Sequence, residues 1–208
     1  MQQHPPTSAA GTSTRLRRAV TADHAALAAL WKHSVVATHH FLTPQAVDEL
    51  YAAILQEYLP GVEELWLAEY EPYSPEATAS DASGNTGAKP ERAVNPPLTN
   101  ALHPKTARPN VLSPDTLRPV GFMGCNWPQI EMLFVEPECF GLGIGKMLLD
   151  HVQQRAMAEN VTLTLDVNEQ NPAALAFYEH MGFVVTGRSP LDGQGRPYPL
   201  LHMQWRRP

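Results

Sequence analysis

The chain has 208 residues and a formal net charge of −6, from 15 basic and 21 acidic residues. A chain of this length fits one domain, and its negative balance argues against nucleic acid as the main partner. Two cysteines are too few for a disulfide framework, and the sequence shows neither a membrane-length apolar run nor a signal peptide's apolar core, so we expect a cytoplasmic protein with no membrane partner.

The first part of the chain predicts two strands and two helices. Residues 1–13 are small, polar and proline-containing, which is typical of a disordered tail. Residues 14–20 predict the first strand, and residues 64–70 predict the second. Between them, residues 22–36 and 43–59 carry apolar side chains at helical spacing, and a Thr-Pro pair marks the start of the second helix.

The composition changes between residues 71 and 116. This segment is rich in proline and small polar residues and has hardly any paired apolar residues. It cannot bury enough surface to offset the entropy of ordering it, so we predict a disordered, proline-rich insertion. A docking or regulatory role is one interpretation, and a neutral insertion is the simpler, favoured one. Residues 119–127 and 130–135 predict the next two strands.

A glycine-rich loop follows the strand at residues 130–135. Gly141, Gly143 and Gly145 stand at alternate positions, and a helical pattern begins among them. The apolar face of that helix consists of Ile144, Leu148, Val152 and Ala156. Glycine lets a backbone approach a ligand closely, and a helix start carries partial positive charge. The pattern therefore predicts a site for a phosphate-bearing ligand.

Two familiar phosphate motifs do not fit this loop. A Walker A loop needs a glycine and a Ser or Thr where the chain has Phe140 and Met147. The dinucleotide pattern meets Lys146 or Leu148 where its third glycine belongs, although Asp166 follows at the end of a strand. These mismatches argue against a Rossmann-type nucleotide-binding protein.

A second motif lies downstream. Residues 161–167 alternate apolar and polar and predict a strand, after which Asn171-Pro172 is a helix-start signal. The helix ends at Gly182. Its apolar face consists of Ala174, Phe177, Tyr178 and Met181. Residues 184–188 and 199–205 predict the last two strands, with a turn between them. The predicted order of strands and helices along the chain is that of a mixed α/β fold.

These two motifs resemble a known family. The sequence from 135 to 149, V-x-P-x-x-x-G-x-G-I-G-x-x-L-L, is similar to the acetyl-CoA-binding motif of the GNAT superfamily of N-acetyltransferases. Residues 167–183 resemble the second half of that site. Stretches at 31–42 and 185–201 resemble a bacterial subgroup, the YjaB-like protein-lysine acetyltransferases. The likeness extends from about residue 15 to residue 205, apart from the insertion.

The resemblance implies a fold and a function. The GNAT fold is α/β, with a mixed, mostly antiparallel sheet of about seven strands flanked by four helices. It implies one N-acetyltransferase domain over residues 14–205, interrupted at 71–116. The expected reaction transfers acetyl from acetyl-CoA directly to a primary amine, with a protein lysine as the expected acceptor. We expect a monomer or homodimer without a metal. The alternative is a catalytically weak or inactive GNAT-fold module that binds CoA and recruits a partner through the insertion.

The resemblance also assigns catalytic candidates. It makes Tyr178 the general acid for the departing CoA thiolate. Glu131 is the candidate base, because it shares a strand face with Leu133 and Val135 and partial burial would make its carboxylate a stronger base. A histidine at the end of the first helix (His39 or His40) and a water-relayed base stay open as alternatives.

The cofactor contacts implied by the resemblance come mainly from the backbone, with side-chain bonds from two asparagines. The expected set is Leu133, Phe134, Val135, Gly141, Leu142, Gly143, Ile144, Gly145, Lys146, Asn168 and Asn171. Relatives commonly carry Arg or Gln where this chain has Phe140, so we expect weaker CoA binding, but not its loss.

Overall fold

Four helices and seven strands make up the part of the chain that the computed structural model describes, residues 14–70 and 117–207. The tail at 1–13 and the insertion at 71–116, both predicted to be disordered, lie outside the described residues. The strands are β1 (Thr14–Arg18), β2 (Glu64–Tyr70), β3 (Arg118–Asn126), β4 (Gln129–Val135), β5 (Thr164–Asn168), β6 (Phe183–Ser189) and β7 (Leu200–Trp205). The helices are α1 (His24–Thr38), α2 (Pro44–Ala53), α3 (Ile144–Glu159) and α4 (Pro172–His180).

All seven strands form one sheet in the order β1-β2-β3-β4-β5-β7-β6. Only β4 and β5 pair in parallel, and every other neighbouring pair is antiparallel. The predicted mixed, mostly antiparallel α/β fold is therefore confirmed.

Two predicted helix starts are built as the sequence indicates. The Thr43 hydroxyl accepts a hydrogen bond from the Ala46 N–H at 3.1 Å, and Pro44 occupies the first position of α2. Asn171 does the same for α4, accepting from the Ala174 N–H at 3.1 Å. The second helix then continues past Ala53 through a π-helical turn to Gly61, slightly beyond its predicted end.

The sheet separates two apolar cores. On one face, α1 packs on β3 and β4, and Leu27, Trp31 and Phe122 are buried there. On the other face, α3 and α4 cover a second cluster that includes Leu148 and Phe183. Within the described ranges, no helix is long and apolar enough to cross a membrane.

The end of β2 and the start of β3 lie at the end of the sheet where β4 leads into the glycine loop. Tyr70 and Arg118 are register partners in the antiparallel pair, so the two ends of the connecting segment are held side by side. The Val120 carbonyl accepts the N–H of Glu136 at 2.9 Å, just after β4 ends. The two residues that flank residues 71–116 therefore stand at the end of the sheet where β4 meets the glycine loop.

We propose that residues 14–205 form one domain whose fold does not need the insertion. Replacing residues 72–116 by a short glycine-containing turn should leave the melting temperature unchanged or higher, because paired strand ends need only a short turn and a shorter loop costs less entropy to close. Thermal unfolding of the two proteins measures this. A deletion variant that fails to fold would show that the segment belongs to the core.

Candidate active site

A β-bulge at Glu131 separates β4 from its parallel neighbour. Gly124 pairs with Met132 and Cys125 pairs with Ile130, so Glu131 is the extra residue on β4. A bulge bends its strand and increases the local twist. The pairing of β4 with β5 consists of Gln129 with Thr164 and Ile130 with Leu165, and it ends there. Beyond the bulge no further residue pairs join the two strands, and we infer a cleft between their facing edges.

The β4 edge of this cleft presents unpaired backbone groups. The Glu136 N–H points to Val120 on β3. Successive residues of a strand direct their backbone groups to opposite edges, so Phe134 also faces β3, whereas Leu133 and Val135 face the cleft. Phe134, expected among the cofactor contacts, thus has its backbone turned away, and its ring lies 5.7 Å from that of Phe122.

The β5 edge is unpaired in the same way. The Glu169 N–H donates to Pro199 O at 2.9 Å, on the side of the neighbouring strand β7. By alternation, the backbone groups of Asp166 and Asn168 face the cleft. The Asn168 side-chain oxygen accepts from the Gln170 N–H at 2.8 Å, and the Asn171 oxygen caps α4. Among the described residues, neither side-chain NH₂ group has a hydrogen-bond partner.

The glycine loop closes one end of the cleft with an anion site. Gly141 and Gly143 have φ angles of 77° and 83°, a left-handed conformation that glycine adopts without strain. A Cβ added at either position would meet no atom within 4 Å, so the space above them is open. No side chain caps α3 and its first turn holds no acidic residue, which leaves its first N–H groups available to a phosphate.

The side chains of this loop add little positive charge. Phe140 is 46% exposed and Leu142 is 55% exposed, and both are apolar. The Lys146 ammonium group lies 2.5 Å from an Asp150 carboxylate oxygen, which offsets its charge. Recognition of an anion here therefore depends mainly on backbone N–H groups.

Tyr178 lies at the cleft from the α4 side. It is 9% exposed, and its ring lies 5.7 Å from that of Phe183. Burial, with a smaller contribution from Cys125, raises the pKa of Tyr178, so the phenol stays protonated at neutral pH. No hydrogen bond joins its hydroxyl to the described residues, and none of their polar side-chain atoms is both buried and unpartnered.

Gly145 shows how closely α4 approaches α3. A Cβ added to Gly145 would lie 3.1 Å from Cζ of Phe177 and 3.7 Å from Cδ2 of Leu133. A larger residue would push Phe177 away and move the helix that carries Tyr178. The third glycine therefore sets helix packing, while the first two leave space for a ligand.

The expected bases differ from Tyr178 in their surroundings. Glu131 is exposed, so the partial burial predicted for it is not observed, and one carboxylate oxygen accepts from the Asn126 side chain at 3.2 Å. The His39 ring contacts the Thr38 hydroxyl at 2.8 Å. Burial, and secondarily the charge of His40, lower the pKa of His39 to about 4, which makes it a weak base.

A cavity of about 460 Å³ opens between the end of α1 and the start of α4. Its lining residues are Ala37, Thr38, His40, Phe41, Gln170, Asn171, Pro172 and Ala173. Phe41 also lies 5.8 Å from the ring of Tyr198 in the loop between β6 and β7. This cavity adjoins the cleft through Asn171 and is the candidate entrance for an acceptor.

A polar cluster on β5, β6 and β7 was missed by the sequence analysis. His202 contacts Asp166 at 2.6 Å through Nδ1 and Ser189 at 2.8 Å through Nε2. Asp166 and His202 are register partners across β5 and β7. Side chains alternate between the two faces along each strand, so Asp166 and His202 could have been assigned to the same face. That assignment would have required knowing that β5 pairs with β7. Among the described residues, no group of three His, Cys, Asp or Glu side chains could hold a metal.

Comparison with known proteins identifies the family. The Acetyltransferase (GNAT) domain model matches residues 98–206, more than half of the chain. The chain belongs to the GNAT family of acetyltransferases. The resemblance predicted from the glycine loop and the second motif is therefore confirmed, and with it the enzyme class, an acyl-CoA-dependent N-acetyltransferase.

Three relatives show how far the likeness extends. The peptidyl-lysine N-acetyltransferase YjaB of Salmonella typhimurium is 35% identical over 188 residues, which cover 90% of this chain and 95% of YjaB. Escherichia coli YjaB is 32% identical over 190 residues, or 91% and 95% of the two chains. The solution structure of its apo-form has a TM-score of 0.63 at 30% identity and covers 93% of this chain and 97% of that one.

The third relative shares only the fold. Salmonella typhimurium yncA, determined with its cofactor acetyl-CoA, has a TM-score of 0.51 at 19% identity and covers 93% of both chains. The predicted GNAT fold and the YjaB-like subgroup are confirmed by these comparisons.

The partly buried His39 should make the stability of the fold depend on pH. The unfolded chain protonates this histidine near its ordinary pKa of 6.5, whereas the folded chain does so only near 4. Stability is therefore complete above the higher pKa and falls as pH drops through that window, by at most about 3 kcal/mol. In chemical denaturation, His39→Phe should flatten this fall.

The exposed histidine of α4 is the matched control, and His180→Phe should keep the wild-type pH dependence. Equal pH dependence in wild type and His39→Phe would show that His39 titrates normally.

Proposed function

We propose that this GNAT enzyme transfers the acetyl group of acetyl-CoA directly to the side-chain amine of a protein lysine. The observation that carries the proposal is the cleft between β4 and β5, whose two edges present unpaired backbone groups and whose end is closed by the glycine loop. The peptidyl-lysine specificity printed for the YjaB relatives supports lysine as the acceptor. The YjaB relatives give no support to the alternative, a non-catalytic CoA-binding module.

Successive parts of the cleft suit successive chemical groups of acetyl-CoA. The N–H groups of Gly143 and the first turn of α3 would bind the pyrophosphate, since no side chain competes for them. The backbone groups of Leu133 and Val135 would form hydrogen bonds with the amides of the pantetheine arm. The arm would then take the place of a neighbouring strand. The free amide NH₂ groups of Asn168 and Asn171 can donate further bonds.

The reaction needs two proton transfers. A lysine amine has an ordinary pKa near 10.4, so deprotonating it at neutral pH costs on the order of 4–5 kcal/mol. The CoA thiolate leaves more easily when a donor protonates it. We assign that second role to Tyr178, whose phenol carries a proton at neutral pH.

The acceptor would enter through the cavity beside α1. Ala37, Phe41 and Pro172 give it apolar walls, which suit the methylene stem of a lysine. The net charge of −6 favours a basic protein segment over nucleic acid. We also propose a cytoplasmic location, because Cys125 and Cys139 are both free and buried, as is usual in a reducing compartment.

Gly143→Val should abolish acetyl-CoA binding. Valine disfavours the φ of 83° and would fill the open space where the phosphates belong. Gly195→Val is the matched control, because Gly195 has a φ of 76° and equally open surroundings in the loop between β6 and β7. In calorimetry, Gly195→Val should bind acetyl-CoA with wild-type affinity, and Gly143→Val should not bind it. Unchanged affinity in folded Gly143→Val would remove the glycine loop from the cofactor site.

Tyr178→Phe should lower kcat for acetylation of a lysine peptide by about 10²–10⁴, the usual contribution of a general acid. The ring and its packing remain, so the melting temperature and acetyl-CoA affinity should change little. Tyr51→Phe, a half-buried tyrosine on α2, is the control and should keep its activity. Mass spectrometry of the peptide follows the reaction.

Three outcomes are distinct in this experiment. Wild-type protein that binds acetyl-CoA and acetylates no lysine peptide would contradict the proposed function. A Tyr178→Phe variant within about threefold of wild type would assign the tyrosine to the core, since a general acid contributes far more. A loss confined to stability would do the same.

A further inference from the structure

Two turns face each other across the cavity beside α1. One follows that helix, where a backbone hydrogen bond of 2.9 Å closes a turn with His40 and Phe41 at its corner. The other leads into α4, and its Gln170 and Asn171 line the opposite wall. An amine that enters here therefore passes between His40 and Asn171, the residue through which the cavity adjoins the cleft.

His40 has the only ionisable side chain among the described residues that line this cavity. No acidic side chain lines it, so no ion pair there stabilises the ammonium form of a lysine. His40 is exposed, and the hydrogen bonds of the described histidine rings belong to His33, His39 and His202. The ring nitrogens of His40 are therefore available to an acceptor.

Two helix ends act on a proton in this cavity in opposite directions. α1 ends at Thr38, and the partial negative charge of a helix C-terminus stabilises a cation beside it, such as an imidazolium at His40. α4 begins at Pro172, which lines the cavity with Ala173, and the partial positive charge of a helix N-terminus disfavours an ammonium group. The two ends together favour transfer of a proton from an incoming amine to His40.

We propose that His40 is the base that takes a proton from the acceptor's ammonium group. The proposal rests on the proposed function, because it concerns the acceptor of that same reaction. A lysine ammonium group in the cavity gives one proton to the unprotonated ring nitrogen of neutral His40, which leaves a neutral amine beside Asn171. Because His40 is exposed, the imidazolium then releases this proton to solvent.

The rest of the reaction balances without a further base. The lone pair of the amine forms the C–N bond, and the C–S bond breaks with its electron pair on sulfur. In the role proposed for Tyr178, its hydroxyl gives a proton to that sulfur, and the second proton of the attacking nitrogen restores the phenol through water. Amine and thioester thus become amide and free thiol, with one proton released through His40 for each ammonium group consumed.

The other candidate bases are placed less well for this transfer, since neither Glu131 nor His39 lines the cavity. The carboxylate of Glu131 accepts a hydrogen bond from the Asn126 side chain. Burial, and secondarily the charge of His40, lower the pKa of His39 to about 4, so a proton that enters the cavity is held by His40 in preference to its neighbour.

The test compares two acceptors in the full-length protein. One is a lysine peptide, and the other is the same peptide with an aminooxy group in place of the amine, which is already neutral at the assay pH. His40→Ala should lower kcat/KM on the lysine peptide by about 10²–10⁴, the range of a general base, and leave the aminooxy peptide within about threefold of wild type.

Added imidazole provides a second measurement on the lysine peptide alone. His40→Ala removes the ring from an exposed position on an open cavity, so imidazole in the buffer can enter and take the proton. It should restore part of the lost rate in this variant and leave the wild type unchanged. His180→Gln, at the exposed histidine of α4, is the control and should keep wild-type rates on both acceptors. Unchanged acetyl-CoA affinity by calorimetry confirms that each variant is folded.

The outcomes separate this proposal from the proposed function. Equal loss on both acceptors, with no restoration by imidazole, shows that His40 only shapes the cavity and overturns its role as base. Wild-type rates in His40→Ala overturn it as well, and a large loss in Glu131→Gln would then transfer the role to Glu131. A wild type that acetylates neither peptide overturns the proposed function, and the role of His40 with it.

Discussion

The whole site depends on the early separation of two parallel strands. β4 and β5 share two residue pairs and then diverge after the bulge at Glu131. Backbone N–H and C=O groups left unpaired beside a core are costly unless something satisfies them. A ligand with its own amides can act as the missing strand between Leu133 or Val135 and β5. The cleft is therefore both a defect of the sheet and the binding site that we propose.

The sheet also separates Tyr178 from the pair of His202 and Asp166. Tyr178 approaches the cleft from the core under α3 and α4, where burial keeps it protonated. His202 and Asp166 lie on the opposite, half-exposed face. A thioester held between the strands would meet a proton donor on one side and an amine on the other. Direct transfer requires the attacking amine and the proton donor for the leaving thiolate to be positioned at the thioester at the same time.

The sequence predicted the parts of the site that depend on local signals. The glycine loop, the Asn171 cap and the position of Tyr178 on α4 follow from turn chemistry and helical spacing, and the fold confirms the elements that carry them. Parts that depend on strand register were not predictable. The bulge places Glu131 in solvent, although simple alternation had grouped it with Leu133.

Long-range pairing was the other limit. Asp166 and His202 become neighbours only because β7 lies beside β5, and nothing local to either residue indicates that order. The backbone of Phe134 turns away from the cleft for a similar reason, since the bonds between β4 and β3 decide its direction. The backbone N–H groups of the glycine loop do not depend on the side chain of Phe140.

Amide hydrogen exchange of β4, with and without acetyl-CoA, tests the central claim most directly. In the free protein, the Leu133 and Val135 amides should exchange quickly, while the Phe134 amide, bonded toward β3, should be protected. Acetyl-CoA should slow exchange at Leu133 and Val135 and leave Phe134 unchanged. Binding of acetyl-CoA without new protection at Leu133 and Val135 would contradict the account, because the cofactor would then lie outside the cleft.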